Sequence, residues 1–228
     1  MKKIFLLAIG VVLLTSCGTR EKEVTVHFEL TSAGAHHQLG DTIYAGDTAV
    51  VFDLFHLYLS NLAIDGAVLE PAWFINTSDS LSTTIKLPLK KNATTFSFGL
   101  GLDEVQNAFD PTSFEIGHPL SSSNAMYWSW ASKYRFVKAE GRLNYSGQLG
   151  ADDQLLIWHT GLDTLYRTKT LNLAIEPGNT INVALNLDHL FSGVSLEKEV
   201  FTHTDVTDFD VAETVTNQMI QSIEVDVR

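Results

Sequence analysis

The chain has 228 residues, 45 % of them hydrophobic, and 27 acidic side chains face 15 basic ones for a net charge of −12. A balance this acidic excludes nucleic acid and anionic membrane surfaces as partners of the folded body. The single cysteine, Cys17, excludes an intramolecular disulfide, a thiolate metal site and a catalytic thiol downstream of it.

The N-terminus reads as a targeting segment. Lys2 and Lys3 precede an apolar run, Ile4 to Leu14, that is too short to span a bilayer comfortably. Leu14-Thr15-Ser16-Cys17 then has the pattern of a bacterial lipoprotein signal: residues 1–16 are removed and Cys17 carries the lipid. A plain secretory signal with an incidental cysteine is the alternative. Acyl chains at Cys17 give stable anchoring, so the expected place is the cell envelope, at an outer membrane facing periplasm or surface. Loss of Lys2 and Lys3 takes the net charge to −14. Residues 17–23 form a polar, lipid-anchored tether, and 24–228 fit one domain.

Period-two hydrophobicity dominates the chain from Val24 onward. Val24, Val26, Phe28 and Leu30 alternate with polar residues and predict a first strand. Around Phe52 to Leu59 both faces are apolar, which predicts a central strand. Further strands are predicted at 83–89, 94–101, 133–144, 154–160, 165–175 and 180–187, with turn signals at Asp65-Gly66, Ser146-Gly147 and Pro177-Gly178. Asp103 to Phe109 suggest one helical turn. Val206, Phe209, Ala212, Val215 and Met219 predict a short C-terminal helix, with Thr207 or Asp208 as N-cap. The fold class is all-β, an antiparallel β-sandwich or squashed barrel with that helix added.

Chemistry concentrates in two places. Met126-Tyr127-Trp128-Ser129-Trp130 crowds three large aromatics together, and strand spacing would point Trp128 and Trp130 to one face. Trp158-His159-Thr160-Gly161 ends an apolar strand on a histidine that opens into a loop, where a ligand would sit. His118 precedes the aromatic cluster and His203 precedes the last helix; His27, His36, His37, His56 and His189 complete the set. No two histidines form a local metal motif, so any site must be assembled from distant strands. There is no Gly-x-Ser-x-Gly elbow, calcium loop or phosphate-binding glycine loop, and no acidic pair is marked.

The order of these segments resembles the MbnP-like family, periplasmic copper-binding proteins first associated with methanobactin. The resemblance rests on Leu57-Tyr58-Leu59-Ser60-Asn61, Phe98-Gly99-Leu100-Gly101-Leu102-Asp103, and His118-Pro119-Leu120 with Met126 to Trp130. Tyr134, Lys138-Ala139-Glu140-Gly141 and Trp158 to Gly161 extend it through the chain. Ser132, where the family has glycine, and Leu30, where many relatives have histidine, depart from the pattern. The resemblance implies a non-enzymatic copper-binding protein, with a tryptophan oxidised to kynurenine in some members by a di-haem peroxidase-like partner. His159 is then the first candidate ligand, His118 and His203 the next, and Trp128 or Trp130 the oxidised indole. A competing reading is a metal-free sandwich module whose Trp/Tyr cluster stacks on a glycan or peptide. An enzyme with an unmarked acidic pair is the third.

Overall fold

The structure is a computed structural model and describes residues 22–228. The signal segment and Cys17 lie outside the described residues. Along the chain come β1 (Glu23–Ser32), β2 (Ala35–His36), β3 (Ile43–Ala45), β4 (Thr48–Ile64), β5 (Ala67–Asn76), β6 (Thr84–Pro88) and β7 (Ala93–Leu100). Then come helix α1 (Glu104–Asn107), β8 (Tyr127–Ser129), β9 (Lys133–Asn144), β10 (Gln154–Gly161), β11 (Arg167–Ile175) and β12 (Thr180–Asn186). Helix α2 (Leu187–Ser192), β13 (Phe201–Thr202), helix α3 (Phe209–Ser222) and β14 (Ile223–Val227) complete the chain.

The strands form a sandwich. A five-stranded sheet runs β14-β12-β1-β2, with β6 also on β1. A nine-stranded sheet runs β11-β7-β4-β9-β10-β13, with β3 and β5 on β4 and β8 on β9. Most pairings are antiparallel as expected, but β1–β12 and β10–β13 are parallel, so both sheets are mixed. The predicted last helix is present as α3, and it is followed by β14, which returns to β12.

Alternation in β1 buries Val24, Val26, Phe28 and Leu30 in one core with Ile181 and Val183 of β12 and with Phe52, Leu57, Phe98 and Trp158 of the large sheet. Phe191 of α2 stacks on Phe52 at 6.0 Å, and Val215 and Met219 of α3 join the same core. Each such side chain contributes about 2 kcal/mol by leaving water. A second, smaller core lies around Tyr58, Leu102, Leu120, Met126, Tyr134 and Phe136. Hydrogen bonds from Tyr58 Oη to the Pro119 carbonyl (2.9 Å) and from Tyr134 Oη to the Leu120 carbonyl (2.8 Å) tie the 117–124 loop down over it.

β4 is the spine. Its residues 49–57 pair with β9, and after Tyr58 the same edge pairs with β7. The change of partner is accompanied by a bulge centred on Asn61, which has a φ of +51°. Asparagine tolerates that left-handed conformation, and here its amide donates to Asp103 (2.9 Å) and to Tyr166 Oη (3.1 Å). Asp103 also caps α1 through the Gln106 N–H, and the Gln106 amide reaches the Pro71 carbonyl. A Cβ on Gly99 would occupy the Tyr166 ring, and one on Gly101 would enter the Phe136 ring. These glycine and asparagine positions therefore build the frame.

A second bulge, at Asp53 of β4, lies opposite Gly141 of β9. A Cβ on Gly141 would fall on the Val51 carbonyl oxygen, which cannot move without breaking the ladder. Gly141→Ala is therefore expected to lower stability by about 2 kcal/mol, read as a lower urea midpoint. Gly150→Ala, where the added carbon meets open space, should stay within about 0.5 kcal/mol of the parent.

Candidate metal centre

His159 owes its position to register. Trp158 points into the main core, packs near Phe52 and donates its indole N–H to the Glu199 carbonyl at 2.6 Å. The next residue must face the other way, so His159 emerges on the face that carries its β9 partner Lys138 and, diagonally, Glu140. There it is only 5 % exposed. Its Nε2 lies 2.9 Å from Glu140 Oε1, and the Lys138 ammonium stands 3.5 Å from the same oxygen. An ionised carboxylate only accepts, so His159 donates from Nε2 and its Nδ1 keeps the lone pair.

That Nδ1 faces His203 Nδ1 at 2.9 Å. His203 comes directly after β13, which lies parallel to β10 with Thr202 beside Trp158. The segment is clamped at both ends. Asp208 accepts from the His203 backbone N–H (3.0 Å), from Thr202 Oγ1 (2.6 Å) and from the Asp205 N–H (2.9 Å), while Thr204 Oγ1 donates to the His159 carbonyl at 2.7 Å. Asp208 is the expected N-cap of α3 by position, but its carboxylate is spent on this loop and makes no cap bond to the helix.

Trp128 flanks the site from the surface, where it is 57 % exposed. Its ring stacks on His203 at 5.5 Å and 26°, and lies 6.1 Å from His159. Phe201 meets His203 edge-on at 4.7 Å, and the Arg135 guanidinium carbon sits 4.6 Å from the Trp128 ring centre. Burial pushes the His159 imidazolium down to about 4, against the hydrogen bond to Glu140 and helped by His203 and Arg135. Burial also opposes the charge on Glu140, but the His159 bond and Lys138 hold its carboxyl below the usual range. The two imidazoles thus meet through their Nδ1 atoms, His203 donating to the His159 lone pair, with the His159 tautomer fixed from behind by a carboxylate, the arrangement that orients metal-ligating histidines.

The other candidates sit elsewhere. His118 stacks flat on Phe114 at 4.1 Å, and its Nδ1 accepts the Leu120 N–H at 3.1 Å, so this ring organises the 117–124 loop instead of joining the pair. Trp130 does not share the face of Trp128: β8 ends at Ser129, and residues 130–132 form a three-residue turn closed by Lys133 at φ +55°. Its indole is 87 % exposed. Met126 is core. Among the described residues no group of three or more His, Cys, Asp or Glu converges as a metal set. Sequence reasoning passed over Glu140 and Arg135. Glu140 was signalled by its place in Lys138-Ala139-Glu140-Gly141, one residue from the glycine that the bulge requires.

The low His159 value has a consequence for stability. The unfolded chain protonates this ring near its ordinary 6.5 and the folded chain only near 4, so the unfolded state binds more protons between those values. Stability is therefore full above pH 6.5 and falls on acidification towards pH 4, by up to about 3 kcal/mol from this group. Urea midpoints of the metal-free protein across that range should show the fall, and His159→Gln should make it shallower.

Comparison with known proteins agrees with this architecture. A solved structure, MbnP from Methylosinus trichosporium, superposes with a TM-score of 0.58 over 90 % of this chain and 98 % of its own, at 14 % identity, which establishes likeness of fold. No curated protein matches. The MbnP family profile matches residues 21–211, which is most of the sequence, and the chain therefore belongs to the MbnP family.

Proposed function

We propose that this protein is a non-enzymatic, lipid-anchored copper-binding protein of the cell envelope that stores, buffers or passes on the metal. The observation that carries the reading is the meeting of His159 Nδ1 and His203 Nδ1 at 2.9 Å, with Glu140 fixing the His159 tautomer. Imidazole suits copper, and His159 and His203 would supply two imidazole nitrogens to Cu(I) without thiolate. The donor set fits. The Nδ1 atoms of His159 and His203 are the nitrogen donors, and a bound ion would take the place of the proton that joins them. The family resemblance supports copper over other metals.

Trp128 is the indole proposed for oxidation to kynurenine, because it is the one stacked on His203. In that conversion the C2–C3 bond of the indole breaks and two oxygen atoms enter while two peroxides are reduced to water at a di-haem partner. Hydrolysis then releases C2 as formate and leaves an aniline amine and a ketone facing the pair.

Protein purified without an affinity tag is expected to bind one equivalent of Cu(I) in a competition titration. Glu140→Gln should weaken binding by about 10–100-fold, as loss of an outer-shell partner does, and His159→Ala or His203→Ala by more. His118→Ala should bind as the parent does. Equal uptake by the parent and His159→Ala would remove the copper reading. Tandem mass spectrometry of protein from the native host should place any kynurenine at Trp128; finding it at Trp130 alone would overturn that assignment.

A further inference from the structure

Arg135 is the most unusual charge in the molecule. It is 3 % exposed, and its Nε and Nη1 have no hydrogen-bond partner among the described residues. Its backbone is pinned, with its N–H donating to the Met126 carbonyl at 2.7 Å and its position paired with Gly161, whose missing side chain lets β10 and β9 close together. The acid that bears on it, Asp208, is already committed to Thr202, His203 and Asp205. A guanidinium does not give up its proton in proteins, so burial leaves a positive charge that rests on the Trp128 ring face with no hydrogen-bonded acid among the described residues, which is costly to hold. A feature that only filled space would not need it.

The charge is placed beside the candidate site. The guanidinium carbon lies 4.6 Å from the centre of the Trp128 ring, and that ring lies 5.5 Å from His203. By these two distances the guanidinium lies within about 10 Å of the His203 ring, and its charge bears on His159 as well. A fixed cation repels a doubly charged ion twice as strongly as a singly charged one, and burial protects the effect from salt screening. We infer that Arg135 is a specificity-determining residue that biases the His159–His203 pair towards Cu(I) over Cu(II). The inference rests on the copper reading above.

The test compares parent, Arg135→Met and Arg135→Lys, each loaded with copper, by Cu(I) and Cu(II) competition titrations and by the potential of the bound couple. Arg135→Met keeps the apolar stem and removes the charge. Its ratio of Cu(I) to Cu(II) affinity should fall about tenfold for a charge at this distance, which is a drop of about 59 mV for a one-electron couple. Its urea midpoint should stay level or rise, because an unpaired buried charge has gone. Arg135→Lys should keep the parent ratio. A ratio and potential unchanged in Arg135→Met, or lowered equally in Arg135→Lys, would overturn the role of the charge while leaving copper binding intact. A parent that takes up no copper would overturn the copper reading itself, and this inference with it.

Discussion

The bulged contact between β4 and β9 is the constraint on which the site depends. At Asp53 the long strand carries one residue more than its partner, and only a glycine at 141 lets the two backbones stay joined there. A bulge changes which way the next side chains are aimed. The residue next to Gly141 is Glu140, and it is Glu140 that reaches diagonally to His159 on β10. The same β9 strand carries Arg135 at its other end and is paired there with β8, which delivers Trp128. Three of the groups around the imidazole pair are therefore placed by a single strand, and that strand is held in register by one missing side chain.

Much of the frame was legible because burial leaves a period in the sequence. β9 covers the predicted 133–144, and β1, β7, β10 and β12 fall within a residue or so of expectation. What escaped was set by tertiary partners. β5 contains Glu70-Pro71, which argues against a strand, yet Pro71 stands opposite Asn61, where the bulge breaks the ladder and no N–H is needed. β14 is five residues long and gains its place only by pairing with β12. The parallel pairing of β1 with β12 joins segments far apart in the chain, Thr25 with Thr180 for example, and no local pattern announces it.

The site divides in the same way. His159 was visible as a strand-end histidine after a core tryptophan, and His203 as a histidine at a helix entry. Their meeting depends on the parallel β10–β13 contact, which two residues of strand cannot advertise. His118 ranked with His203, behind His159, in sequence, but Phe114 and the Leu120 N–H already engage its ring. Of the two neighbouring indoles, spacing alone treated Trp128 and Trp130 alike. The turn after Ser129 separates them, and its chemistry, Ser129 Oγ bonded to Ser132 Oγ at 2.7 Å, lies in residues too common to mark it.

The diversion of Asp208 from its helix has a further consequence, one of local cooperativity. His159 is paired in the long β9–β10 ladder of the large sheet, and sheet amides of this kind exchange only by larger-scale opening. His203 is held by a carboxylate at the start of α3, and that helix begins without the side-chain cap worth about 1 kcal/mol. Helix ends open at small free energies compared with sheet interiors. The two imidazoles thus belong to units of unequal stability, a firm half fixed by the sheet and a yielding half fixed by a helix terminus, so the pair can part on one side while the fold stays closed on the other.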